Sequence, residues 1–157
     1  MSLLNSKWTL YFHKLNDNNW TFNSYIKLSE YNNLEDFAII STILKPSHIE
    51  NGMFFIMREN IKPMWESEDN NKGGCISFKI YKKFIYDSWN QLTNFLIGEK
   101  ILKNEKDYIN VNGISISPKK QFSIIKIWFK IPEIKETSLL NDMNLFNYTD
   151  AIYKLHK

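Results

Sequence analysis

Two tryptophans stand in polar, irregular stretches of the chain, where an indole ring is an unusual choice for core packing. Trp20 directly follows a turn-forming run of Asp and Asn at 17–19, and Trp65 lies between Pro63 and Glu66. An indole has a large flat face and an N–H group that needs a partner. Such a residue either packs in the core or offers a surface on which a flat or cationic ligand stacks. Both interpretations are open from these residues alone.

Residues that could perform covalent or acid–base chemistry form no recognisable constellation. Cys75 and the three histidines, His13, His48 and His156, have no neighbouring pattern that identifies a nucleophile and its base. The glycine pair at 73–74 is not followed by Lys-Ser or Lys-Thr and is therefore not a P-loop. We expect a binding protein with no enzymatic activity and no cofactor.

Metal binding is also the weaker interpretation of the sequence. The acidic run at 66–69 (Glu-Ser-Glu-Asp) could bind a cation, but a solvated loop is the simpler account. A single cysteine forms no internal disulfide, and with three scattered histidines it makes no zinc-site spacing. No metal site is expected.

Length and charge limit the remaining classes. The chain has 157 residues, of which 43% are hydrophobic and 24% charged, a composition typical of one globular domain. Its 20 basic and 17 acidic side chains leave a net charge of +3, too small for a nonspecific nucleic-acid binder that relies on charge density. Any nucleic acid must therefore be bound at a compact site. With no apolar run near 18 residues and no signal-peptide core at the start, a cytoplasmic location is expected.

Hydrophobic patterning predicts strands and two helices. The segment 7–13 alternates with the period of a half-buried strand. Asn33 is a plausible N-cap for a helix from Leu34 to about Leu44, and a second helix is expected from about 84 to 98. Helical character is also expected around 149–155. The other predicted strands lie at 23–28, 52–58 and 75–81 and near 108–117 and 121–130. This order favours an α+β fold with helices on one face of an antiparallel sheet.

Several short motifs occur along the first 130 residues. They are WTLYF at 8–12 with Trp20 following, LEDF at 34–37, IKPMWE at 61–66, KGG at 72–74, Trp89, LIGE at 96–99 and IKIW at 125–128. In these motifs the chain resembles the translation initiation factor 4E family of messenger-RNA cap-binding proteins. They occur in family order at near-family spacing, cover roughly residues 6–130, and include the quite specific element I-x-P-M-W-E.

The resemblance implies a fold and a base-binding site. The fold is a curved antiparallel sheet of about eight strands, backed on its convex face by about three helices, in a single domain spanning 1–157. Trp20 and Trp65 would sandwich the 7-methylguanine of the cap, and Glu66 would accept the N1–H and N2–H groups of guanine. Trp128 would lie against the N7-methyl group.

The phosphate-binding residues implied by the resemblance are altered. Gapless alignment places Lys119 at the family's phosphate-binding arginine, with Lys120 as a second candidate. The next family lysine falls on Ile124, and a further basic position falls on Cys75. Lys126 has the same strand parity as Ile124 and could compensate. Lysine does not reproduce the bidentate grip of arginine, so weaker or rearranged phosphate contacts are expected.

The partner-binding face implied by the resemblance is altered too. In the family this face binds a Tyr-x-x-x-x-Leu-Φ peptide of a scaffold subunit. The family's aromatic anchor for this peptide falls on Ala38 in this chain, and two of its apolar contact positions fall on Asn90 and Asn94. Leu34 keeps the apolar residue of the family. We expect capped messenger RNA as the ligand, and either a dedicated scaffold subunit or no scaffold. A cap-occupying repressor, or an interaction protein that keeps only the fold, are the alternatives.

Overall fold

The computed structural model describes residues 3–157, which form seven strands and three α-helices. The strands are β1 (Leu3–His13), β2 (Ile26–Asn33), β3 (Met53–Arg58), β4 (Gly74–Tyr81), β5 (Val111–Pro118), β6 (Phe122–Phe129) and β7 (Ile152–Leu155). The helices are α1 (Leu34–Ile43), α2 (Pro46–Asn51) and α3 (Ile85–Ile97), with short 3-10 turns at Phe22–Ser24, Lys82–Phe84, Glu105–Asn110 and Thr137–Leu139. The strands form one curved, unclosed antiparallel sheet in the order β2-β1-β3-β5-β6-β4-β7. The predicted α+β class is confirmed.

The strand predictions differ from the structure mainly at their ends. The second strand was expected at 23–28 but begins at Ile26, because Phe22–Ser24 forms a 3-10 turn beside the first loop. The strand expected from 108 begins at Val111, since 105–110 is a 3-10 turn. Short 3-10 turns at element ends have little sequence pattern of their own, which explains these errors.

Helix α1 begins and ends where its sequence predicts. The side chain of Asn33 accepts a hydrogen bond from the Asp36 backbone N–H at 2.8 Å, and Asp36 in turn accepts from the Asn32 N–H at 3.0 Å. Pro46 cannot continue the helix and instead starts α2. The predicted inner stripe, Phe37, Ile40 and Leu44, packs against the core, although no residue of α1 is fully buried.

Helix α3 lies across the sheet and fills the core. All four predicted inward residues are buried, namely Ile85, Trp89, Leu92 and Leu96. Gly98 caps the helix as expected by donating its N–H to the Asn94 carbonyl at 3.0 Å. The described helices include none that is both long and apolar enough for a membrane span.

The only arginine in the chain is a structural residue. Arg58 pairs with Glu99 at 3.1 Å, and the two side chains are 8% and 7% exposed. Its guanidinium also donates to the Val111 and Tyr108 carbonyls and lies 4.4 Å from the Trp8 ring centroid. Glu99 has a positive φ of 57°, so this buried pair holds a non-glycine residue in the left-handed region where α3 ends. Arg58 is therefore unavailable for phosphate binding.

The helix expected around 149–155 is wrong. Residues 152–155 form β7, which pairs antiparallel with β4 through Gly74↔Leu155 and Ser77↔Ile152. A short edge strand is stabilised by its backbone ladder rather than by an apolar stripe, so its local pattern is weak. Before it, the stretch 130–151 has no α-helix, and Ile134, Leu140, Met143 and Phe146 fill the core from irregular backbone.

The sheet presents one covered face and one open face. Ile76, Phe78, Ile125 and Ile127 point to the side covered by α3 and belong to the main core. The alternate residues of the same strands point the other way, because successive side chains alternate across a strand. Trp128 on this second face packs with Phe55 and Met57 in a smaller cluster. We call this second side the cleft face.

Candidate ligand-binding cleft

A cleft on the cleft face brings together several residues that sequence analysis singled out. It has a volume of about 230 Å³, and its lining includes Trp20, Trp65, Glu66 and Trp128. The Trp20 and Trp65 side chains are 47% and 48% exposed, so neither packs in the core. Two half-exposed indoles and a carboxylate on one cleft can receive a flat, hydrogen-bonding heterocycle.

One face of the Trp20 indole stacks on the ring of His13, a contact that sequence analysis did not predict. The two rings are parallel within 4°, with centroids 3.8 Å apart. His13 is buried, and its ring nitrogens lie 2.9 Å from the Lys14 carbonyl and 2.8 Å from the Asn19 carbonyl. The preceding turn is closed by Asp17, whose carboxylate accepts from the Asn19 N–H at 2.8 Å. The stack leaves one face of the Trp20 indole for a ligand.

The loop that presents Trp65 is supported by a buried asparagine, Asn70. Its amide donates to the Lys62 and Met64 carbonyls at 2.9 and 3.0 Å, on either side of Pro63. Asn112 on β5 donates in turn to the Asn70 side-chain oxygen at 2.9 Å. Asn70 was missed because asparagine in a polar loop is the usual composition of a turn, and Asn112 because it lies within an otherwise apolar strand pattern. Only their complete burial distinguishes them.

Glu66 and Trp128 complete the lining of the cleft. Glu66 is exposed and lies near Tyr25. Burial raises the pKa of Tyr25 to about 12, and the negative charge of Glu66 is the second cause of this shift. Trp128 is only 6% exposed and donates from Nε1 to the Ser115 hydroxyl at 2.9 Å. Its indole nitrogen is therefore occupied, and Trp128 can offer a ligand only apolar contact.

The structure places the three candidate phosphate-binding lysines differently. Lys126 lines the cleft and also an adjoining cleft of about 210 Å³. Lys119 and Lys120 are exposed in the turn between β5 and β6 and line neither cleft. The adjoining cleft contains further basic residues, Lys154 and Lys157, that sequence analysis missed because β7 was not predicted.

Lys154 lies beside Cys75, the position at which the family resemblance implies a basic residue. It pairs across β4 and β7 with Cys75, which itself pairs with Trp128 on β6.

Burial raises the pKa of the Cys75 thiol, so the thiol stays protonated and is unsuited to nucleophilic chemistry. Burial lowers the pKa of neighbouring His156, whose Nδ1 lies 3.0 Å from the Asn70 carbonyl.

The residues of the expected partner face lie on the helices, away from the cleft. On α1, Leu34 and Ala38 are exposed, as are Ile39 and Ile43. On α3, Asn94 is exposed and Asn90 is half-buried. This side of the chain therefore shows an exposed apolar stripe on α1 beside a polar stripe on α3.

Fold and cleft together define a small α+β binding protein with an aromatic pocket for a flat ligand. Within residues 3–157 no cluster of three or more metal-ligating side chains occurs. The family model for eukaryotic initiation factor 4E matches residues 3–151, and the chain belongs to that family.

Relatives and solved structures agree with this family. The chain is 32% identical over 133 residues to eukaryotic translation initiation factor 4E of Eremothecium gossypii, covering 81% of this chain and 62% of the relative. It is 33% identical over 138 residues to the Candida albicans protein of the same name, covering 81% and 64%. The chain thus spans somewhat less than two thirds of these curated relatives. The structure of Ascaris suum eIF4E-3 with an m7G cap shares the fold, with a TM-score of 0.75, 20% identity, and coverage of 88% of this chain and 78% of that one.

Proposed function

We propose that this chain binds the 7-methylguanosine cap of messenger RNA and acts in translation initiation in the cytoplasm. The proposal is supported by the family, whose named relatives are initiation factors, and by the Ascaris suum neighbour, which was solved with an m7G cap. The observation that carries it is the placement of Trp20, Trp65 and Glu66 around a single cleft.

The base would be bound between the two indoles. N7-methylation gives guanine a positive charge spread over a flat ring system, and Trp20 and Trp65 would each cover one of its faces. Stacking contributes about 1–3 kcal/mol per base–aromatic contact, and cation–π attraction adds about 0.5–2 kcal/mol. The second contribution is absent for unmethylated guanine, so it separates the cap from GTP.

Glu66 would select guanine by its hydrogen-bonding edge. An ionised carboxylate is an acceptor with two oxygens, and the N1–H and N2–H groups of guanine are two parallel donors. Adenine offers no matching pair of donors on that edge. Trp128, whose Nε1–H is already bonded to Ser115, would contact the N7-methyl group.

The phosphates would lie over the basic part of the cleft face. Lys126 lines both clefts and Lys154 lies beside Cys75, so these two ammonium groups can follow the triphosphate away from the base. Lys119 and Lys120, implied by the resemblance, stay a prediction. A lysine pair gives charge attraction without the fixed fork of arginine, and the proposed affinity for phosphate is correspondingly modest.

The chain would act as a binding protein without catalysis. Its partner surface suggests a dedicated scaffold subunit in place of the usual one, because Ala38 and Asn90 remove apolar contacts. A cap-binding repressor that recruits no scaffold is the second candidate, and the same substitutions favour it. A translation assay with capped and uncapped reporter RNA separates the two, since only an initiator stimulates the capped reporter.

Titration with 7-methyl-GTP and with GTP tests the cap proposal. Quenching of tryptophan fluorescence should show tight binding of the methylated nucleotide and about 2- to 30-fold weaker binding of GTP, as expected for a cation–π contribution of about 0.5–2 kcal/mol. Trp65→Ala and Glu66→Gln should each weaken binding. Trp65→Phe, which keeps a smaller aromatic face, should retain part of it. Equal weak responses to both nucleotides would contradict the proposal.

A further inference from the structure

A second, larger groove lies beyond Lys126 along the edge of β4 that β7 leaves unpaired, and it is lined from the cleft face and, through Phe78 and Ile80, from the covered face. It has a volume of about 600 Å³, and its lining includes Lys79, Tyr81, Phe84, Phe122 and Ile124. We call it the distal groove and define it by these five residues. None of them has a role in the base-binding cleft.

The strand register places the distal groove on the same side of the sheet as the base-binding cleft. β4 and β6 pair without a bulge from Cys75↔Trp128 through Ser77↔Lys126 to Tyr81↔Phe122. Residues two apart on a strand share a face, so Tyr81 and Phe122 lie on the cleft face with Trp128. From Lys126 to Phe122 the strand advances about 13 Å at ~3.3 Å per residue.

The distal groove combines exposed aromatic rings with lysine. Tyr81 is 58% exposed, and Phe84 is also exposed. The Lys79 ammonium lies 4.4 Å from the ring centroid of Phe122 and 5.4 Å from that of Tyr81. Lys82 and Lys83 follow in the next 3-10 turn, whereas Asp150 is the single acidic residue in the lining of the groove. Aromatic rings interleaved with lysines are the chemistry that binds single-stranded nucleic acid.

We propose that the distal groove binds the nucleotides that follow the cap, with bases stacking on Tyr81 and Phe122 and a phosphate contacting Lys79. This inference rests on the proposed cap binding and extends it to the body of the transcript. About 13 Å corresponds to roughly four nucleotides at the stacked rise of ~3.4 Å, and to fewer in an extended strand. The transcript would leave the base-binding cleft over Lys126 and cross the distal groove.

A peptide is the competing occupant, because β7 pairs with β4 only over 74–77. The β4 backbone at 78–81 could therefore receive an added strand. Lys79, Lys82 and Lys83 favour RNA, because they border a path that begins at the proposed phosphate site. A neutral peptide would form no ion pairs with them. If a peptide is the true occupant, added nucleotides give no gain in affinity, so the RNA experiment decides between the two.

The experiment compares 7-methyl-GTP, a capped pentanucleotide and the same pentanucleotide without a cap. The variants are Tyr81→Ala, Tyr81→Phe and Lys79→Ala, with Lys103→Ala as a control for removing an exposed lysine elsewhere. The capped RNA should bind at least about 5-fold more tightly than 7-methyl-GTP, the smallest gain expected when one base stacks on an aromatic ring. Tyr81→Ala should remove most of this gain, whereas Tyr81→Phe and Lys103→Ala should keep it. Lys79→Ala should reduce the slope of log affinity against log salt by about 0.7.

The affinity of each variant for 7-methyl-GTP serves as its folding control and should not change. No gain from the added nucleotides, or a gain that persists in Tyr81→Ala, would overturn the inference. Failure of 7-methyl-GTP to bind more tightly than GTP would contradict the cap proposal instead. In that case the uncapped RNA still tests the distal groove, because its binding must weaken in Tyr81→Ala.

Discussion

The cleft face and the helical face differ in how their exposed residues are supported. Trp20 and Trp65 project from loops, yet each loop is fixed by a buried polar residue, His13 for the first and Asn70 for the second. Helix α1 has no buried residue, and Ile39 and Ile43 on its surface are exposed. The two indoles of the cleft are therefore held in place by buried groups, whereas the helical face is defined by exposed side chains that can change with little effect on the core.

The largest effect is expected from removing the support of the cleft. Asn70→Ala deletes donors to the Lys62 and Met64 carbonyls and removes one of the two acceptors of the Asn112 amide, which keeps the Asp69 carbonyl. We expect a loss of about 2–3 kcal/mol in the free energy of unfolding, because buried polar groups lose their partners, together with weaker binding of 7-methyl-GTP. Urea unfolding and nucleotide titration measure the two effects.

Asn71→Ala is the matched control, since the neighbouring side chain is only half-buried. Its unfolding free energy and its nucleotide affinity should stay close to those of the unaltered chain. Equal losses in both variants would mean that the Trp65 loop does not depend on Asn70.

On the helical face, a single substitution should increase the affinity for a partner peptide. Ala38→Trp restores the aromatic anchor that the family resemblance implies, and a central aromatic contact contributes about 2 kcal/mol to an interface. Affinity for a Tyr-x-x-x-x-Leu-Φ peptide should therefore rise about 30-fold in a calorimetric titration, while 7-methyl-GTP binding stays constant. Thr42→Trp, at an exposed position one turn further along α1, is the control. Nanomolar peptide binding by the unaltered chain would contradict this account of the partner face.

A smaller effect should separate the two groups of lysines. Lys126→Ala should weaken 7-methyl-GTP binding by about 1–2 kcal/mol, because a charge-assisted contact to phosphate is lost. Binding of 7-methylguanosine, which has no phosphate, should be unchanged. Lys119→Ala removes a lysine that lines neither cleft, so it should weaken 7-methyl-GTP binding less than Lys126→Ala does and should also leave 7-methylguanosine binding unchanged. The reverse order would show that the β5–β6 turn folds over the phosphates.

The smallest expected effect is on the pH dependence of stability. Burial lowers the pKa of His156 below its ordinary value of 6.5, so the folded chain binds this proton less readily than the unfolded chain. The contribution of His156 to stability is therefore complete above pH 6.5 and is lost as the pH falls below it. The difference in unfolding free energy between the unaltered chain and His156→Gln should shrink on acidification. A constant difference between pH 5 and pH 8 would contradict this.

Much of the fold could be predicted because the elements that position the cleft have strong local patterns. The alternation in β1, the Asn33 cap of α1 and the inward stripe of α3 are all read from neighbouring residues. β7 and the irregular core segment before it could not be predicted, since their structure depends on pairing with β4 and packing beside α3. These are long-range contacts without a short-range pattern.

The candidate site shows the same division. Trp20, Trp65, Glu66 and Trp128 were found from motifs and line one cleft. Lys154 escaped detection because its position depends on β7, and Asn70 because only its burial reveals its importance. Arg58 is the single arginine of the chain, and its partners show that it supports the core.

The proposed function depends on Trp20 and Trp65 holding the methylated base between them. A crystal structure of the chain with 7-methyl-GTP would show whether they do. We expect a guanine ring parallel to both indoles, with Glu66 bonded to its N1–H and N2–H and the phosphates near Lys126. A nucleotide that stacks on only one indole, or that binds outside this cleft, would contradict it.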